Sequence, residues 1–446
     1  MTTTIAVPPS LLGRVQSAWE QLTHAERIVF GIIVLLPVWW GIGYAYILLL
    51  LLLGIALSDW WRFGRIRLAK PRLEAVLLLC FGVYCWVNIN LNAQAITGHT
   101  LLGPLAHWLS GGLLLWYIQS NHIRVRLRVA LWAGAVLMAE ILALWFVAQI
   151  VMGGNVPILR SLTGLLLGKQ EQYAGGMGDS NYLRLLDSSE SFNFFGGARY
   201  SSFFAHPEFA GQAMAFVCLL SLSGRGLWPF LLGGAGLLAL LLTGTRSALL
   251  CLAIVAALRF VFSLGKSGGI AAVLALAAAG SFTILSVPPV TEAVLGSYQG
   301  TVQSTDNFRK ESTDARRLIY ERTFEKVAED LPLFGFGMPG KTVIPGYKPA
   351  QIGSHSFILG SLLYCQGFVG TALFVAFWSS LWLRLWQERD ERPDCGLWTL
   401  VLWTMISAVV AFEIVRLSVV LLCVLLVVDQ KPSKTAVSSR MTRSMS

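Results

Sequence analysis

Charge is scarce in this chain. Only 13% of its residues are Asp, Glu, Lys or Arg, against about 25% in an ordinary soluble protein. The apolar set makes up 55%, and mean hydropathy is +0.64. A soluble fold so composed lacks the polar side chains to cover its surface. That excludes a cytosolic enzyme, a secreted disulfide scaffold and a disordered tail, and it leaves the bilayer as solvent. A paired-cysteine motif is also missing. The seven cysteines contain no CxxC, so no zinc or redox centre is signalled, and all seven are expected as free thiols that mostly fill core space. Residues 1–27 carry no long apolar stretch, so no signal peptide is expected. HExxH is absent, as is any Asp-x-Asp in the polar loops, and no metal or cofactor is expected. Gly335-Phe336-Gly337 is short and follows a helix rather than a strand, so it is not read as a phosphate loop; no Gly-x-x-x-x-Gly-Lys loop is read, and ATP drive is not expected either.

What is present is a series of long apolar runs. A helix needs about 20 apolar residues to cross a bilayer. The run 28–57 is too long for one span and carries Pro37, Gly41 and Gly43 at its middle, which predicts a tight hairpin of two short spans. Further runs lie at 73–95, 101–119, 128–151, 207–223, 227–243, 246–263, 268–287, 355–384, 397–412 and 415–429. The fold expected is an all-α polytopic membrane protein of about twelve transmembrane helices, a single membrane domain over 1–446 with both termini cytoplasmic. Two long loops, 152–205 and 288–354, carry short helices on the outer face, and the second caps the active site.

The net charge of +10 would suggest nucleic acid in a soluble protein. In a membrane chain it reads as basic loops on the cytoplasmic side, and no nucleic-acid partner is expected. With the N-terminus inside, the inner loops collect Arg62, Arg65, Arg67, Lys70, Arg72, Arg124, Arg126 and Arg128, and later Arg384, Arg389 and Arg392. The short outer loops hold only Arg246 and Arg416.

Arg246 therefore stands out against the orientation rule. It opens a helix in Thr243-Gly244-Thr245-Arg246-Ser247-Ala248, where free N–H groups and the helix dipole favour an anion. The bland reading is an interfacial anchor; the sharper one is a phosphate site. Arg199 ends the first long loop. Arg316 and Arg317 begin an amphipathic helix over 313–331, with Tyr320, Phe324, Val327 and Leu331 on its apolar face. His206 and His355 sit where the two long loops re-enter the membrane. Glu413 and Arg416 are spaced to pair at the last outer turn.

Four segments, in order, resemble the O-antigen ligases and Wzy-type O-antigen polymerases. Arg199-Tyr200-Ser201-Ser202-Phe203-Phe204-Ala205-His206-Pro207-Glu208 resembles their Arg…Gly-Thr-Phe…Asn-Pro-Asn element, and Thr243–Ala248 resembles Thr-Gly-Ser-Arg-Gly-Ala. Arg317-Leu318-Ile319-Tyr320 with Leu331–Gly337 resembles Arg-Leu-x-x-Trp…Pro-Leu-Leu-Gly-x-Gly. His355-Ser356 with Gly367–Gly370 resembles His-Asn…Gly-x-x-Gly. The likeness covers roughly 195–375, with His206, Glu208, Ser356 and Tyr320 as departures. It implies a metal-independent glycosyltransferase of a bacterial inner membrane, with its site facing the periplasm and no cofactor. The donor would be a glycan on undecaprenyl pyrophosphate. The acceptor would be a sugar hydroxyl, on a lipid A core for a ligase or on another lipid-linked unit for a polymerase. His355 would be the base, and Arg199, Arg246, Arg317 and Arg316 would bind substrate. A twelve-span transporter or flippase is the reading from a different class; it predicts repeats and a central alternating cavity, and no repeat is visible here.

Overall fold

The computed structural model describes residues 11–93, 97–170, 173, 179–187, 198–265, 316–328, 330–344 and 350–428. Among them, strands occur only as three short pairs, and the rest of the regular structure is helical. The protein is an all-α, multi-pass membrane protein.

The first apolar run folds as two arms. After α1 (Leu11–Glu20), α2 (His24–Val34) opens with a capping box in which Thr23 and Glu26 exchange side-chain and backbone bonds. It bends by 62° into α3 (Leu36–Ile42). Pro37 sits at the start of α3, where it has no helical hydrogen bond to lose. Gly43 then reverses the chain at φ +116°, and a Cβ there would collide with Thr163 Oγ1. α4 (Ile47–Phe63) returns. The predicted hairpin is present, with its turn at Gly43 and arms longer than the apolar run suggested.

Next come α5 (Leu73–Asn92) and the short α6 (Gly98–Pro104). A π-helical turn then leads into α7 (Ser110–Ser120). After α8 (Leu127–Phe146), the first long loop carries the one-turn α9 (Leu162–Leu166). α10 (Pro207–Leu222), α11 (Leu227–Thr243) and α12 (Arg246–Gly265) follow. α13 covers 316–328. A π-helical segment, Phe357–Tyr364, runs into α14 (Cys365–Gln387), and α15 (Cys395–Ser407) and α16 (Ile414–Leu425) close the bundle. Among the described residues six helices can cross a membrane by length and composition, or seven if bent α2–α3 counts as one. α10, α11, α15 and α16 are apolar but shorter. The predicted span 268–287 lies outside the described residues, and twelve spans remain a proposal.

α10 is the axis of the bundle. Nearly all of its residues are buried, the mark of a helix surrounded on every side, and it packs against α8, α11, α12, α15 and α16. All seven cysteines are free, and all but Cys80 are buried. One end of the bundle is knitted by ion pairs of the basic loops: Arg126–Glu26 at 2.6 Å, Arg384–Glu74 at 2.6 Å and Arg259–Asp394 at 2.7 Å. The other end gathers the starts of α10, α12 and α16 and described parts of the two long loops.

Candidate active site at the Glu208 end of the bundle

The start of α10 organises this end. His206 is the N-cap: its Nδ1 accepts the Glu208 N–H at 3.3 Å. Its Nε2 lies 3.9 Å from Asp187 Oδ2, and Asp187 in turn takes a 3.0 Å ion pair from buried Arg184. Glu208 follows Pro207 and turns toward Arg316, whose Nη2 is 3.4 Å away. His206, Arg199 and His355 are also within electrostatic reach of the Glu208 carboxylate, so with Arg316 they make a group of four around it. Those four residues come from three separate stretches of chain, Arg199 and His206 sharing one.

The arginine read from the α12 start is delivered by close packing. Gly244 adopts φ +62°, and the Thr243 and Thr245 hydroxyls bond at 2.9 Å. Thr245 Oγ1 donates to Pro207 O at 3.0 Å. A side chain at Gly211 would overlap Thr245, so α10 and this turn meet at van der Waals range. Arg246, half-buried, is the first residue of α12. Arg199 is almost fully buried and donates from Nε to Thr243 O at 2.9 Å, so it braces the turn that presents Arg246.

His355 has φ +70°, a conformation that costs a non-glycine residue about 1–3 kcal/mol and persists only when its surroundings impose it. Here they do. Gly353 N–H donates to Thr323 Oγ1 of α13 at 2.8 Å, and Ser356 caps the following helix. Ser354 Oγ donates to Gln351 O at 2.6 Å and lies 2.8 Å from His355 Nδ1. With its single proton spent on Gln351, Ser354 must accept from Nδ1–H, which puts the lone pair of the neutral ring on Nε2.

Arg316 and Arg317 part company. Arg316 reaches Glu208, whereas the Arg317 side chain is 75% exposed and pairs with Glu321 at 3.2 Å. The buried face of α13 is Ile319, Thr323 and Val327, while Phe324 and Leu331 are exposed. Of the predicted apolar face only Val327 is buried, because the loop before His355 docks on the neighbouring stripe. The predicted Glu413–Arg416 pair does not form. Arg416 is fully buried and donates instead to Gln212 Oε1 at 2.5 Å and Ser407 Oγ at 2.9 Å. Burial pushes the Glu413 carboxyl up to about 7. Sequence reading missed Arg184, Asp187, Gln212 and the central place of Glu208. The signals available were the i, i+3 spacing of Arg184 and Asp187 and the i, i+4 spacing of Glu208 and Gln212.

A helix break supports this end. Gly367 has φ +64° and ψ −169° inside the α14 run, which frees carbonyls that a membrane interior must satisfy. The loop after α13 does so: Phe336 N–H donates to Tyr364 O at 2.9 Å and Gly337 N–H to Cys365 O at 2.7 Å. Asn88 and Tyr84 of α5 complete the set. Residues 335–342 spell Gly-x-x-x-x-Gly-Lys-Thr, which corrects the reading that no such spacing is present. It is no phosphate cradle here, because it follows a helix and residues 341–344, at its end, are not helical.

Residues 230–375 match the family model described as O-antigen ligase. The match covers about a third of the chain. The matched stretch contains Arg246, Arg316, Arg317 and His355; Arg199, His206 and Glu208 lie just ahead of it. An activity of the O-antigen ligase or polymerase type, in a membrane, is what this match supports. No curated protein matches the chain.

Proposed function

We propose that the protein transfers a glycan from undecaprenyl pyrophosphate to a sugar hydroxyl at the periplasmic face of a bacterial inner membrane. The convergence of Arg316, Arg199 and His355 on Glu208, beside the Arg246 helix start, carries this reading. His355 Nε2 accepts the acceptor hydroxyl proton as that oxygen attacks the anomeric carbon. The bond from that carbon to the phosphate oxygen breaks, and undecaprenyl pyrophosphate leaves with the electron pair. Negative charge grows on the leaving group, where preorganised cations stabilise the transition state most. Guanidinium forks suit a pyrophosphate because they are planar, multidentate and always charged. Arg246 at its helix N-terminus and Arg316 are assigned that task, and Glu208 keeps Arg316 oriented until substrate arrives. Arg199 positions the Arg246 turn. Arg317, exposed beside them, is assigned to the rim.

The test is transfer by the purified protein from a lipid-linked oligosaccharide. Glycan appearing on core lipid A marks a ligase, and lengthening of the lipid-linked chain marks a polymerase. Neither product, from folded protein given both acceptors, would remove the transferase reading.

A further inference from the structure

A second place in the molecule carries charge that the transfer reaction does not use. A cavity of about 580 Å³ runs between α2, α4, α7, α8, α10 and α16. One face of α4 lines it from Ile47 through Leu51 and Ile55 to Asp59 and Arg62. That helix is 17 residues long, about 25 Å at 1.5 Å per residue. The lining is mostly apolar along this length, and its charged residues, Asp59, Arg62 and Arg67, lie toward and just beyond the C-terminal end of α4. The volume falls within the roughly 300–1,000 Å³ of small-molecule sites.

The polar end is built around Asp59. This carboxylate is 5% exposed. Oδ1 accepts from Tyr117 Oη at 3.2 Å, and Oδ2 is buried with no hydrogen-bond partner. A buried carboxylate inside a membrane span is costly and marks a functional site by default, and an orphaned oxygen calls for a donor. Exposed His24, Arg62 and Arg67 line the same end of the cavity. Arg67 lies over the Phe63 ring at 4.0 Å, and neither Arg62 nor Arg67 is ion-paired among the described residues. The opposite end carries Tyr44 and Phe204, both buried, with their rings edge to face at 6.1 Å.

We propose that this cavity holds one chain of an ethanolamine-type phospholipid, its ammonium on Asp59 and its phosphate against Arg62 and Arg67. The ammonium supplies the donor that Asp59 Oδ2 lacks. The phosphate suits the two guanidiniums. The acyl chain fills the apolar length along α4, entering past Leu50, which is 39% exposed. The donor of the transfer reaction is a poor occupant, since its pyrophosphate belongs at the Glu208 end, beyond Tyr44 and Phe204. A purely anionic headgroup is disfavoured by repulsion from Asp59.

The test uses the full chain in phosphatidylglycerol vesicles doped with a photoactivatable-acyl probe, either phosphatidylethanolamine or phosphatidylglycerol. The ethanolamine probe is expected to crosslink to peptides of α4, α7 and α8 about ten-fold more than the glycerol probe, the scale of one hydrogen bond to a charged group. Asp59→Asn should abolish that preference. Gly54→Trp, at a position whose Cβ would face open space, should reduce crosslinking by both probes. Equal labelling by the two probes, or a preference that survives Asp59→Asn, would each overturn the proposal. Thermal unfolding of each variant checks its fold, and the Asp59→Asn comparison stands alone should Gly54→Trp not fold. Transfer activity is not the readout, so failure here leaves the proposed function untouched.

Discussion

His355 is held in a left-handed conformation by a serine, a threonine hydroxyl and a helix cap, and this arrangement fixes which ring nitrogen can take a proton. General-base catalysis contributes about 10²–10⁴-fold. His355→Ala is therefore expected to retain donor yet lose that much transfer rate at matched protein levels, and a loss of only a few-fold would make it an interfacial histidine. His206→Asn is the contrasting case. His206 serves as an N-cap, asparagine is among the strongest N-caps, and the rate should stay near parental. The arginines separate in the same assay. Arg316→Ala should cost about 10²–10³-fold, as loss of a transition-state donor does. Arg317→Ala should stay within roughly five-fold, since an exposed pair is worth about 0–1 kcal/mol; the reverse order would return the pyrophosphate to Arg317. Sequence alone brought His355, Arg246 and the arginine pair to notice because each is a polar residue at the edge of an apolar run. It could not choose between Arg316 and Arg317, because neighbours on a helix point in different directions and only the docking of α13 decides which one faces Glu208.

Helices at this end are shaped by glycine rather than by apolar periodicity. Gly367 breaks the α14 run, and a Cβ there would collide with Leu333 O of the docked loop. Gly367→Ala is expected to lower stability by at least about 1 kcal/mol, as a side chain forced to positive φ does, with a lower unfolding temperature in detergent. Gly103→Ala, where a Cβ would meet nothing within 4 Å, is the control and should unfold with the parent. The segments that resemble the ligase family are the ones joined by this break: the Gly335–Gly337 loop hydrogen-bonds to carbonyls just before Gly367. Sequence shows such glycines as a pattern. It does not show which carbonyls they free or which loop satisfies them, because that pairing spans about thirty residues and depends on Asn88 and Tyr84 of a distant helix.

Across the whole molecule, hydropathy located the apolar helices well because the bilayer imposes one length on every crossing. It placed the bends poorly: α2 and α3 meet at 62° around Leu35, and π-helical turns interrupt the runs before α7 and after α8. The central position of α10 was also hidden, since a helix buried among protein and one facing lipid are equally apolar. The separation of charge between the two ends is what predicts orientation. Arg62 in the last turn of α4 and Arg65 and Arg67 just after it are exposed, and Glu321 is exposed on α13 at the Glu208 end. Basic loops stay on the cytoplasmic side, so Glu321→Cys should react with an impermeant thiol reagent once the outer membrane is permeabilised. Arg65→Cys should react only after the inner membrane is lysed. Both belong in a Cys80→Ser background, since Cys80 is the one exposed thiol. The opposite labelling pattern would put the Glu208 end in the cytoplasm, where the proposed acceptor glycan would have to be sought instead.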